Sequence, residues 1–73
     1  AAGVDGLDVV RRLLPEAADH LTENGILVVE VGDGREAVEA IWPDLPLTWL
    51  TVSAGDDLVF LATAEDLKRY FKH

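Results

Sequence analysis

The sequence predicts an α/β fold, and three observations carry that reading. Ile26-Leu27-Val28-Val29-Glu30-Val31 is the most apolar run of the chain and stops at Gly32-Asp33-Gly34. A short β-branched run closed by glycine reads as a strand buried on both faces. On either side of it, apolar residues recur at helical spacing. Two further apolar runs, Leu47–Ser53 and Leu58–Thr63, are joined by the turn residues Ala54-Gly55-Asp56-Asp57, a link short enough to make them an antiparallel hairpin.

Taken in order, Ala1 to Gly6 reads as a loop with Asp5 as a helix cap. Leu7, Val10, Leu13, Leu14, Ala17, Ala18 and Leu21 then form one stripe on a helix. Pro15 interrupts it. Proline lacks an N–H and disfavours helical geometry in the residue before it, so a kink or two short helices are expected there. Arg11, Arg12, Glu16, Asp19 and His20 fall mostly off the stripe, on a solvated face. Thr22-Glu23-Asn24-Gly25 ends the helix, with Gly25 able to take the left-handed capping conformation. After the central strand, Asp33-Gly34 turns into a second helix, Arg35–Trp42, whose Ala37, Val38, Ile41 and Trp42 share a face and which must stop at Pro43. Thr63-Ala64-Glu65-Asp66 resembles a capping box. It opens a short terminal helix with Leu67, Tyr70 and Phe71 on one face and Lys68, Arg69 and Lys72 near its C-terminus.

Composition bounds the function. Seventy-three residues make at most one small domain, which buries only about 60% of the surface of its unfolded chain. The apolar fraction of 49% is enough for a packed core. Fourteen acids against six bases give a formal charge of −8, which disfavours nucleic acid and anionic membranes as electrostatic partners. Without cysteine there are no disulfides and no thiolate metal sites. No apolar run reaches the roughly 18 residues of a membrane span. The chain starts Ala1-Ala2-Gly3 and holds no methionine, so a segment of a longer protein, residues 1–73 forming a single partial domain, is the expectation.

No constellation stands out as catalytic. Glu30-Val31-Gly32-Asp33-Gly34-Arg35-Glu36 has the order of a nucleotide loop, a strand followed by glycines and a helix start. Glu36 stands where a third glycine is wanted, and its carboxylate would repel an anionic ligand. The acid that such loops place about 20 residues further on is missing from Leu50 to Ala54. A plain strand-to-helix turn is the better reading. His20 on a helix flank and His73 at the chain end make no metal site. Ser53 has no base beside it in sequence. Trp42 and Trp49 read as core anchors. Glu30, inside an apolar strand, either faces a cleft or needs a helix or cation partner, because a buried carboxylate is costly unless paired. The assignment of catalytic, cofactor-binding and metal residues is therefore none.

The order of the pieces nonetheless resembles a known family. Asp5-Gly6-Leu7-Asp8, Arg11-Arg12-Leu13-Leu14, Glu16-Ala17-Ala18, Leu21-Thr22-Glu23-Asn24-Gly25 and Ile26–Gly32 look like the C-terminal part of HemK-like protein-glutamine methyltransferases. Pro43-Asp44-Leu45-Pro46-Leu47-Thr48-Trp49-Leu50 and Leu58-Val59-Phe60-Leu61 resemble the branch that methylates a ribosomal protein. The resemblance implies a Rossmann-like class I methyltransferase fold, a mixed sheet in which the present strands are five, six and seven in the order 5-7-6. It implies transfer of a methyl group from S-adenosylmethionine to the N5 amide of a glutamine, in the cytoplasm. The family's Asn-Pro-Pro-Tyr loop is absent, since Pro15, Pro43 and Pro46 are the only prolines and none are adjacent. The family's cofactor loop is absent too, so the chain alone is expected to be inactive. The alternatives are a free-standing acidic interaction module on the same scaffold, and a small cofactor binder using Gly32-Asp33-Gly34.

The strand pattern carries one more expectation. Right-handed crossovers put the helices Leu7–Leu21 and Arg35–Trp42 on the same side of the sheet. The strands are apolar on both faces, so one face is left without a cover, the strand Ile26–Val31 has an open edge, and the terminal helix is too short to cover that face. Pairing with the missing N-terminal half of the enzyme, or self-association as a dimer or larger assembly, is expected through that surface.

Overall fold

A computed structural model describes residues 7–51 and 58–72. The elements run α1 (Leu7–His20), β1 (Ile26–Gly32), α2 (Arg35–Ile41), β2 (Thr48–Thr51), β3 (Leu58–Thr63) and α3 (Ala64–Phe71). The Asp5 cap, the turn Ala54-Gly55-Asp56-Asp57, Ser53 and His73 lie outside the described residues.

α1 buries Leu7, Val10, Leu14, Ala17 and Ala18, all on the stripe that the spacing marks. It does not divide at Pro15, contrary to one of the two expected outcomes: the helix is a single run of 14 residues. The physical reason is where the missing bond falls. Pro15 cannot donate to the carbonyl of Arg11, and Arg11 is exposed, so water can take that acceptor at little cost. Asp8 pairs with Arg11 at 3.1 Å on the same exposed face. The following turn closes by Gly25 N–H donating to Thr22 O at 2.9 Å. Gly25 is not left-handed, because the only described glycine with positive φ is Gly32. α2 ends as expected at Pro43. Trp42, just before the proline, has φ −126 and ψ 68 and donates its N–H to Val38 O, outside helical space as a pre-proline residue prefers.

The sheet has the order β1-β3-β2. Both neighbouring pairs are antiparallel, with Val29 opposite Phe60 and Phe60 opposite Trp49. The hairpin from β2 to β3 is thus present. β1 and β2 run parallel to one another but never touch, because β3 lies between them. Among the described residues the sheet is therefore antiparallel, not mixed. The ladder between β1 and β3 is irregular from Glu30 to Gly32, where β1 bends into the turn that starts α2.

The core forms on one side of this sheet. Phe60, Leu14, Leu67 and Val38 are the largest fully buried side chains, and they come from β3, α1, α3 and α2. Trp42, Leu45 and Ala62 are buried in the same cluster, with Leu27, Val29, Trp49, Tyr70 and Phe71 packed against it. α3 lies beside α1 and not over the opposite face. Lys68 Nζ donates to Ala18 O at 2.8 Å, satisfying a carbonyl in the last turn of α1. Lys72 Nζ pairs with Asp19, and Ala64 N–H donates to Gly25 O at 2.9 Å. Thr63 caps α3 by accepting from Asp66 N–H at 3.2 Å, as the capping-box residues indicate.

Two outcomes follow for stability. Pro15→Ala restores a helical donor and should raise stability by less than about 1 kcal/mol, because the Arg11 acceptor is already open to water and proline's restraint on the unfolded chain is lost. Thermal melting followed by circular dichroism checks this, and a lower midpoint would show that ring packing outweighs the missing bond. The second outcome concerns acid. The ammonium of Lys72, hydrogen-bonded to Asp19, holds that carboxyl below its ordinary value of 3.8. Its folded pKa is depressed, so its contribution is present above that ordinary value and is lost as pH falls through the folded one. Helical signal should therefore decline below about pH 4 with a component that Asp19→Asn removes; an identical acid profile for the variant would show that the pair contributes nothing.

Candidate functional site: an uncovered sheet face

Residues directly opposite on neighbouring strands share a face, so the register sorts the sheet into two sides. Leu27 with Ala62, and Val29 with Phe60 and Trp49, form the rows that meet the helices. Ile26 with Thr63, Val28 with Leu61 and Thr48, and Glu30 with Val59 and Leu50 form the rows on the other side. There Ile26 is 54% exposed, Val28 53% and Leu50 46%. The strand Ile26–Val31, expected from its composition to be buried on both faces, is thus covered on one only among the described residues; on the other side Val59 of β3 is buried, at 9% exposure, while its neighbours on β1 and β2 are exposed. All three helices contribute to the single cluster around Phe60, and of their buried residues only Ala64 lies outside it among the described residues. Among the described residues, β1 is an edge strand with β3 as its one neighbour.

Glu30 resolves between its two readings only in part. It is exposed, stands opposite Val59 on the open face, and has no ion pair with a described residue. Its neighbours in the rows are apolar on every side except Thr48. Nothing in a one-dimensional reading could say that the carboxylate and the bare face coincide, because the register with β3 decides it.

The Gly32-Asp33-Gly34 loop is accounted for by its backbone. Gly32 has φ 61, which L side chains rarely adopt. Gly34 N–H donates to Val31 O at 2.9 Å, and a Cβ on Gly34 would stand 3.0 Å from that same oxygen. The turn itself thus calls for glycine at Gly32, and at Gly34 a side chain would fit only if Val31 O moved by a few tenths of an ångström. α2, which follows the loop, is only seven residues long and carries Glu36 in its first turn. Over this end of the sheet, the Arg35 guanidinium lies 5.1 Å from the centre of the Trp49 ring and is paired with Glu39 at 3.4 Å. Trp49 meets Phe60 edge-on at 5.5 Å.

Other candidates disperse. His20 is exposed at the end of α1, and no group of three histidines, cysteines or carboxylates among the described residues could hold a metal. Trp42 is a core residue at 7% exposure. Two shallow hollows exist, one beside Gly25 bordered by Glu23, Glu65 and Lys68, the other between Pro46 and Tyr70. Neither contains a buried unpaired polar side chain. No described helix is long and apolar enough to cross a membrane. Lys68 and Lys72 escaped the sequence reading as partners of α1, since their acceptors lie 50 and 53 residues away and no local signal connects them.

Comparison with known proteins bears on what this surface belongs to. The chain is 50% identical to the ribosomal protein uL3 glutamine methyltransferase of Neisseria gonorrhoeae over 66 residues, 90% of this chain and 22% of the relative. It is 52% identical to the protein of that name from Bradyrhizobium diazoefficiens over 89% of this chain and 20% of the relative. The Francisella tularensis protein is 46% identical over 94% and 22%. The chain is homologous to the C-terminal part of these methyltransferases. It spans about a fifth of the length of the curated relatives it matches. No family model and no solved structure matches it. The homology agrees with the resemblance read from the Asp-Gly-Leu start and the Pro-Asp-Leu-Pro segment.

Trp49 is half-buried against Phe60 and under Arg35, so Trp49→Ala should cost less than full burial would imply, about 2 kcal/mol. Urea unfolding measures it. A loss near zero would mean that the ring does not pack and is free for a ligand.

Proposed function

We propose that this chain is the C-terminal segment of an S-adenosylmethionine-dependent methyltransferase that modifies the N5 amide of a glutamine in a ribosomal protein, in the cytoplasm. The observation that carries the reading is the identity of about half over nine-tenths of the chain with ribosomal protein uL3 glutamine methyltransferases. The strand order supports it. β1, β3 and β2 are the counterparts of strands five, seven and six of a Rossmann-like class I sheet, with the last strand inserted antiparallel between the other two. The exposed apolar face supports it as well, since a sheet of that class is covered on both sides. The catalytic Asn-Pro-Pro-Tyr loop and the cofactor loop belong to the part of the enzyme that this sequence does not include. On this reading the chain supplies one wall of the domain and no reacting group, and it is inactive alone.

The test is a chimera. The 73 residues replace the matched segment of the Neisseria gonorrhoeae relative, and methyl transfer to ribosomal protein uL3 is followed with labelled cofactor. Activity is expected from the chimera and not from the chain alone. A folded but inactive chimera would sink the reading. Tight binding of S-adenosylmethionine to the isolated chain in calorimetry would instead favour the small cofactor binder. The second reading, an acidic interaction module, is favoured by one observation, the −8 charge on a chain with an open apolar face, and would be upheld by a folded, inactive chimera.

A further inference from the structure

We draw no further inference here: the strongest candidate, the shallow hollow between the loop of residues 43–46 and α3, bordered by Asp44, Pro46, Asp66, Arg69 and Tyr70, carries nothing, because Asp44 is exposed, Asp66 is already paired with Arg69, no unpaired buried polar side chain among the described residues points into it, and nothing in the structure shows what covers it.

Discussion

Phe60 stands at the middle of the middle strand, between Val29 and Trp49, with no exposure. Its burial depends on helices approaching from one side only, and that one-sided approach organises the rest of the molecule. Leu14 of α1, Val38 of α2 and Leu67 of α3 reach full burial in the same cluster. A chain of this length has few residues with which to cover a sheet, and packing three helices over one face spends all of them there. On the opposite rows Ile26, Val28 and Leu50 are left exposed among the described residues, while Val59 of the middle strand is buried between its neighbours.

The side on which α3 lies is settled by contacts at the ends of elements. Its first residue donates its N–H to Gly25 O, in the turn that follows α1. Lys68 satisfies the Ala18 carbonyl near the end of α1, and Lys72 reaches Asp19. The C-terminus of a helix offers orphan carbonyls and the negative end of its dipole, and lysines from α3 meet both. These contacts keep Leu67, Tyr70 and Phe71 on the helical side of the sheet. They also leave β1 as an edge strand among the described residues, next to the rows that carry Ile26, Val28 and Glu30.

The turn after β1 shows how a pattern associated with cofactors can arise from backbone geometry. Gly32 has a positive φ, and a Cβ on Gly34 would stand tightly against Val31 O. The first constraint selects glycine at position 32 whether or not a ligand binds there, and the second disfavours a side chain at position 34. The exposed apolar side chains Ile26, Val28 and Leu50 lie on the sheet face and not in the loop.

Much was legible in the sequence because it is local. The stripe Leu7, Val10, Leu14, Ala17, Ala18, the β-branched run Ile26–Val31, the stop at Pro43 and the Thr63 cap each follow from spacing or from one residue's chemistry. The hairpin was legible in the short link between its strands and the prospect of an open face in strands apolar on both sides, whereas the insertion of the last strand between the other two was legible only through the family resemblance. Pro15 misled in part, since its cost depends on whether Arg11 O meets water, which only packing determines. The burial of Ile26–Val31 on both sides was an inference from composition, and composition is blind to whether a cover exists. What the tertiary structure alone decided is the placement of α3 beside α1, through partners 50 or more residues away, and the coincidence of Glu30 with the open rows, through the register of β1 on β3. Both are long-range facts: a strand fixes which residues alternate, but its neighbours and their covers fix which side meets water.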